Sequence, residues 1–160
     1  LAAQYEAAGA KPPELIVLPV GSGGTMAGIE VGLRRRWRGT KVLGVSVSRD
    51  SKWFQERVSA IANETAAMID LKEKWSPDDI QVVDGYVGPG YGVPSEGSIR
   101  RIRQAAQSEG VLLDPVYTGK AMDGLAGSID KGIVKRGSRV LFIHCGGGPS
   151  LYPFAKQLGA

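Results

Sequence analysis

The stretch "ELIVLPVGSGGTMAG", residues 14–28, decides the fold. Its first half is a short apolar run, rich in branched side chains, and predicts a β-strand buried on both faces. Glycines and small hydroxyl residues follow, and then Met26, Ile29 and Leu33 recur at helical spacing. A strand, a glycine loop and a helix in that order predict the first unit of a parallel α/β sheet.

The rest of the chain continues this alternation of strands and helices. Strands are predicted at 41–47, 80–87 and 139–145, and helices at 52–75, at 95–108, after Thr118 and at the C-terminus. Thr118 is expected to cap the helix that follows it. The sequence therefore predicts an α/β fold, a parallel sheet with helices on both faces. In such sheets ligands bind beyond the carboxyl ends of the strands.

Three glycine loops lie where a pocket is expected. They cover residues 21–24, 88–92 and 146–148, and the first and last follow predicted strands. We expect the three loops to meet at one edge of the sheet.

Composition indicates one ordinary globular domain. The chain has 160 residues, of which 42% are hydrophobic, and a formal net charge of +4. No apolar run approaches the roughly 20 residues that a membrane span needs, and a single cysteine favours a reducing cytoplasm. The arginine runs at 34–38 and 100–103 are predicted to be solvated helix faces, because no aromatic residues interleave with them as nucleic-acid binding would require.

The first glycine loop has the properties of an anion site. Successive N–H groups leading into a helix N-terminus attract negative charge, and two hydroxyls add donors; the loop residues are Gly21, Ser22, Gly23, Gly24 and Thr25. Met26 stands where both common nucleotide-binding glycine motifs need another residue. A single phosphate monoester therefore fits better than a triphosphate. The alternative is a tight strand-to-helix turn that binds nothing.

Four segments carry a resemblance to a known family. They are "GSGGTMAG" (21–28), "PGYGVPSEG" (89–97), "EGVLLDPVYTGKAMDGL" (109–125) and "LFIHCGG" (141–147). Together they resemble the fold-type II pyridoxal phosphate enzymes, the tryptophan synthase β-like group. Within that group they resemble D-cysteine desulfhydrase and 1-aminocyclopropane-1-carboxylate deaminase, in order from about residue 14 to 154.

The resemblance implies a set of site residues. The phosphate of pyridoxal 5'-phosphate would lie on Gly21–Thr25, and Tyr91 and Tyr117 would flank the cofactor and a small amino-acid substrate, orienting it and assisting proton transfer. The alternative for either tyrosine is a ring packed in the core with its hydroxyl on a backbone carbonyl.

Two cofactor-side positions separate the relatives. The deaminases resemble one another in having glutamate after the tyrosine and leucine after the histidine, where this chain has Thr118 and Cys145. A hydroxyl at 118 favours the desulfhydrase, whereas Cys145 departs from its usual threonine, and a thiol is a poor hydrogen-bond partner for the cofactor ring. Cys145 as a nucleophile is the alternative, with only His144 beside it; His144 itself is expected to be a satisfied residue at a strand end.

The resemblance also implies what the chain does not contain. The lysine that anchors the cofactor and the smaller substrate domain would precede the glycine loop, so residues 1–160 are expected to be the C-terminal portion of the cofactor-binding large domain. Lys120 is predicted to be structural. We expect this portion to be inactive alone and to self-associate through exposed sheet surface. The complete enzyme is predicted to be a D-cysteine desulfhydrase; the alternatives are the cyclopropane deaminase and a non-catalytic phosphate-binding fragment.

Overall fold

The computed structural model describes residues 1–159. The strands are β1 (Leu15–Val20), β2 (Lys41–Ser46), β3 (Val82–Val83) and β4 (Val140–Phe142). The helices are α1 (Ala2–Ala7), α2 (Gly24–Arg35), α3 (Ser51–Met68), α4 (Glu96–Glu109), α5 (Thr118–Asp130) and α6 (Ala155–Leu158). Among these residues, none of the helices combines the length and apolarity that crossing a bilayer requires.

The four strands form one sheet in the order β3-β2-β1-β4. All three pairings are parallel. The pairing of β1 with β2 runs from Leu15 opposite Lys41 to Val20 opposite Ser46, and β4 pairs with the first half of β1. The carboxyl ends of all four strands therefore lie along one edge.

Both faces of the central strand β1 are covered. Its even-numbered side chains, such as Ile16 and Leu18, join an apolar cluster with α2 and α3, which includes Met26 and Phe54. Its odd-numbered side chain Val17 joins a second cluster with α5. All six residues of the strand are buried. The predicted parallel sheet with helices on both faces is confirmed.

The helix predicted over 52–75 ends earlier, at Met68. Asp70 adopts a left-handed backbone with φ of 55°, a conformation that aspartate tolerates better than most residues. The amide of Leu71 then donates back to the carbonyl of Ala66 at 2.9 Å, which closes the helix in the manner of a Schellman motif. The apolar spacing had continued past the end because Leu71 still packs against the core.

The outer strands are also shorter than predicted. β3 covers only two residues of 80–87, because Asp84 turns away and its carboxylate accepts the amide of Ser51 at 2.6 Å. β4 covers only three residues of 139–145. Beyond it the chain turns at Gly146 and Gly147, whose φ angles are positive. The C-terminal helix begins as a 3-10 turn over Gly148–Phe154, with Pro153 inside it.

Substitution by alanine should have opposite effects on the free energy of unfolding at two helical glycines. A Cβ at Gly124 in α5 would lie 2.6 Å from Cγ1 of Val45 in β2, whereas a Cβ at Gly28 in α2 would meet nothing within 4 Å. We expect Gly124→Ala to lower the free energy of unfolding by about 1–3 kcal/mol through overpacking. Gly28→Ala should raise it by about 0.5–1 kcal/mol through helix propensity. Urea denaturation of both variants measures the difference; equal shifts would contradict the close packing of α5 on the sheet.

Candidate functional site

A cavity of about 780 Å³ lies at the carboxyl edge of the sheet. Loops that are distant in sequence contribute its walls, after β1, after β2, between β3 and α4, before α5 and after β4. The lining residues are Pro19, Gly21, Ser22, Thr25, Ser48, Arg49, Tyr91, Tyr117 and Cys145. This volume lies within the roughly 300–1,000 Å³ typical of small-molecule sites.

The glycine loop presents backbone donors at the N-terminus of α2. Gly23 precedes the helix with φ of 91°, and a Cβ there would come within 3.1 Å of Val58, so the turn needs glycine. Within residues 1–159, the amides of Gly24, Thr25 and Met26 have no hydrogen-bond acceptor. Free N–H groups at the positive end of a helix dipole bind anions.

The structure brings Tyr91 and Tyr117 together at the cavity. Their ring centroids are 6.0 Å apart in an edge-to-face arrangement, and the two hydroxyls form a short hydrogen bond. This hydrogen bond, together with burial, raises the pKa of Tyr117 to about 12. Neither hydroxyl is tied to a backbone carbonyl among the described residues, and Tyr91 is 57% exposed. Both phenols are therefore available to the cavity as a linked pair.

A buried carboxylate that the sequence analysis did not single out holds Tyr117 in place. Asp114 accepts the backbone amides of Val116, Tyr117 and Thr118, each at 2.8 Å, and the Thr118 hydroxyl at 2.7 Å. A Cβ at Gly147 would lie 2.5 Å from its Cγ, so the turn after β4 also packs on it. An aspartate four residues before a helix-starting threonine was the available signal, because Asp favours helix N-termini.

Thr118 is bonded to Asp114 at the start of α5. Its side chain is fully buried; the hydroxyl donates to Asp114 and accepts the Asp114 amide at 2.8 Å. It is the first residue of α5, and the helix is capped by the Asp114 carboxylate, so the expectation that Thr118 caps the helix is wrong. A charged acceptor satisfies several orphan amides at once, which one hydroxyl cannot do. Contact between Thr118 and a cofactor ring stays a prediction.

Three further residues were considered in the sequence analysis, and one of them, Cys145, lies at the cavity. Cys145 lines the cavity, and partial burial raises the pKa of its thiol, which disfavours the nucleophile alternative because thiolate is the reactive form. His144 does not line the cavity, and its Nε2 lies 3.0 Å from the Leu112 carbonyl oxygen. Lys120 is fully buried and does not line the cavity either.

Three lining residues were not predicted as site residues: Pro19 in β1, and Ser48 and Arg49. Ser48 and Arg49 follow β2 and reach the cavity, as the rule for carboxyl ends of parallel strands would have indicated. Arg49 carries the only charged side chain among the lining residues, and its guanidinium lies over the ring of Trp53. Asp50, the next residue, is the exposed N-cap of α3 and accepts the Trp53 amide at 2.8 Å. Within the described part of the chain, no three acidic, histidine or cysteine side chains cluster as metal ligands would.

Comparison with known proteins gives the family. The family model of pyridoxal-phosphate dependent enzymes matches residues 1–146. The chain belongs to this family. Pyridoxal phosphate is the family's cofactor, and the predicted recognition is confirmed.

Two groups of curated relatives resemble this family member almost equally. A 1-aminocyclopropane-1-carboxylate deaminase of Ralstonia nicotianae is 37% identical over 89% of the chain. A D-cysteine desulfhydrase of Yersinia enterocolitica is 39% identical, also over 89%. The chain spans 42% and 43% of their respective lengths, so it spans less than half of the curated relatives it matches.

Solved structures show the same fold. An ACC deaminase homologue superposes with a TM-score of 0.84 at 30% identity, covering 98% of this chain and 46% of that one. Threonine deaminase isoform 2 of Solanum lycopersicum superposes with a TM-score of 0.57 over 98% of this chain and 48% of that one, and its 14% identity shows the fold alone. The fold-type II expectation is confirmed.

The residues present fit pyridoxal phosphate. The free amides of α2 and the exposed hydroxyls of Ser22 and Thr25 form a donor set for a phosphate. The adjoining cavity has room for a pyridine ring, beside Tyr91 and Tyr117. Among the residues that the structure describes, no acidic side chain lines the cavity, which suits an anionic ligand.

The tyrosine pair predicts a specific titration. In Tyr91→Phe the hydrogen bond is lost, so the pKa of Tyr117 should fall from about 12 toward its ordinary value of 10.0. Ultraviolet titration of tyrosinate measures the shift, with the double variant Tyr91→Phe, Tyr117→Phe subtracted from Tyr91→Phe to isolate the one phenol. Tyr152→Phe, an exposed position, is the control. An unchanged Tyr117 titration in Tyr91→Phe would show that the two hydroxyls are not bonded in solution.

Proposed function

We propose that this chain provides the phosphate-binding and tyrosine side of a D-cysteine desulfhydrase-like lyase. The complete enzyme would convert D-cysteine and water to pyruvate, hydrogen sulfide and ammonia. The observation that carries the proposal is the single cavity at which the free amides of the Gly21–Thr25 loop and the Tyr91–Tyr117 pair meet. Such a site can hold a phosphorylated ring by one end and contact an amino acid beside it.

The choice between the two relatives depends on position 118. Both kinds of relative match this chain to nearly the same extent, and the cyclopropane deaminase is the second candidate for that reason. The hydroxyl of Thr118 is neutral, whereas the deaminases resemble one another in having a carboxylate there. A neutral group leaves a pyridine ring largely unprotonated, which suffices for loss of a thiolate leaving group but is a weaker electron sink for opening a strained ring.

Backbone dipoles carry the cofactor-binding role. Bound pyridoxal phosphate would supply the electron-withdrawing ring that stabilises negative charge on the substrate. The amides of Gly24, Thr25 and Met26 would bind the phosphate dianion without a lysine, and the hydroxyls of Ser22 and Thr25 would add two donors. Charge-assisted hydrogen bonds of this kind contribute about 1.5–3 kcal/mol each.

The tyrosine pair is suited to orienting a substrate. With its pKa raised to about 12, Tyr117 stays protonated at neutral pH and donates a hydrogen bond. An alkyl thiol has a pKa of about 8.5, so a departing thiolate does not need a proton from this phenol. The pair would hold the sulfur by hydrogen bonding while it leaves as the anion.

Phosphate binding tests the first half of the proposal. Pyridoxine 5'-phosphate carries the ring and the phosphate but no aldehyde, so it does not react with surface lysines. It should raise the melting temperature of the chain, because ligands that bind only the folded state stabilise it. Pyridoxine, which is the same molecule without the phosphate, should not. Ser22→Ala and Thr25→Val should each weaken binding about tenfold through a lost hydrogen bond.

The matched control is Ser108→Ala, an exposed serine in α4. It should leave the ligand-dependent rise in melting temperature unchanged. If the ligand raised the melting temperature of all variants equally, it would bind elsewhere. If it raised the melting temperature of none of them, the alternative of a glycine turn that binds nothing would be favoured.

Substrate choice tests the second half in the complete enzyme. We expect hydrogen sulfide from D-cysteine, and Tyr117→Phe should lower kcat/KM about tenfold through loss of one substrate hydrogen bond. Tyr152→Phe should have no effect. Ammonia from 1-aminocyclopropane-1-carboxylate without sulfide from D-cysteine would establish the deaminase instead. Cofactor binding with neither activity would leave a non-catalytic binding fragment.

A further inference from the structure

Lys120 is a buried cation that the proposed chemistry does not use. It lies in the first turn of α5 with none of its surface exposed. Its Nζ donates to the carbonyl oxygens of Val87 at 2.7 Å and Gly90 at 2.8 Å. Lysine is almost never fully buried unless it is paired. These two hydrogen bonds therefore offset the cost of burying the ammonium group.

Burial of this ammonium group has a measurable cost. Desolvation lowers the pKa of Lys120, and the nearby Asp114 carboxylate opposes that effect. An apolar residue of similar length at this position would avoid the desolvation penalty. The charged side chain must therefore provide something that simple core packing does not.

Both carbonyls belong to the loop that bears Tyr91. Around Tyr91 the loop has positive φ angles at Gly88, Gly90 and Gly92, and glycines lose the most conformational freedom on ordering. A weak hydrogen bond within it joins the Val93 amide to the Gly90 carbonyl at 3.3 Å. A loop of this composition needs an external contact to hold one conformation.

The geometry attaches the loop to α5 at two neighbouring points. Gly90, whose carbonyl Lys120 holds, immediately precedes Tyr91. Tyr91 then reaches Tyr117, the residue just before α5 and three positions before Lys120. Because Tyr91 is 57% exposed, core packing does not fix its ring. Its place depends on the backbone contact and on the phenol contact.

We propose that Lys120 is a positioning residue of the candidate site, whose buried ammonium group fixes the loop carbonyls of Val87 and Gly90 to α5 and thereby places the Tyr91 hydroxyl against that of Tyr117. The contribution of this contact to catalysis rests on the proposed lyase function. The contact itself is independent of any activity and can be tested without substrate or cofactor.

Tyrosine titration of the full chain tests the proposal. Lys120→Met keeps the length of the side chain and removes its donors, so the loop is released and the hydrogen bond between the tyrosines is lost. We expect the pKa of Tyr117 to fall from about 12 toward 10.0, so that one additional phenol ionises below about pH 11. The additional signal should be absent from Lys120→Met combined with Tyr117→Phe. Lys72→Met, at an exposed lysine, is the matched control.

Two further measurements separate a positioning role from general stability. Amide exchange of Val93 should accelerate about tenfold or more in Lys120→Met, while amides of β1 and β2 keep their protection. A merely structural role would accelerate exchange in the sheet as well. In the unsubstituted chain, NMR should detect slowly exchanging ammonium protons of Lys120 with through-bond couplings to the carbonyl carbons of Val87 and Gly90; this experiment does not depend on the variant folding.

The proposal would be overturned if Lys120→Met folds and its tyrosine titration and Val93 amide exchange equal those of Lys72→Met. The absence of the ammonium signal and couplings in the unsubstituted chain would also overturn it. Failure to bind pyridoxine 5'-phosphate, with the titration shift present, would overturn the proposed function and leave the positioning of the loop intact.

Discussion

The site depends on one constraint, the parallel pairing of β1 with strands on both of its sides. Parallel strands need long crossover connections, and those connections are helices here. All six β1 residues are buried, which fixes the register because a one-residue slip would exchange the two apolar clusters that cover its faces. The same pairing forces the loops after β1, β2 and β4 to one edge. The cavity follows from the sheet.

Buried charges then determine where the tyrosines lie. Asp114 orders the start of α5 and with it Tyr117, and Lys120 holds the loop of Tyr91. Asp114 precedes α5 and Lys120 lies in its first turn, and each satisfies backbone groups that no strand or helix satisfies. Removing one partner from such a contact leaves a buried polar group unpaired, at a cost of about 1–3 kcal/mol. Hydrogen bonds from charged side chains fix these segments in place, because apolar packing cannot hold a glycine-rich loop in one conformation.

Local patterns predicted much of this arrangement. The apolar run predicted as a strand over 14–20, the glycines after it and the helical spacing from Met26 onward are all short-range signals, and they predicted β1 and α2 closely. The end of α3 was missed because a left-handed Asp70 stops the helix while Leu71 continues its apolar pattern. The cap of α5 was attributed to Thr118 because threonine is a common capping residue, and only the fold shows that the Asp114 carboxylate takes the amides. Contacts such as Lys120 with Gly90 join segments 30 residues apart, and no local pattern encodes them.

The titratable groups around the cavity share one tendency. The pKa of Tyr117 is raised by its partner and by burial, and the pKa of Cys145 is raised by burial, so both side chains are neutral donors near pH 7. Arg49 is the one charge among the lining residues, and it is positive. Free amides at the start of α2 add further positive potential. A wall that donates hydrogen bonds and carries no acid is complementary to a ligand with a phosphate at one end and a carboxylate or thiolate at the other. Because their pKa values are raised, Tyr117 and Cys145 are poorly suited to removing a proton near pH 7.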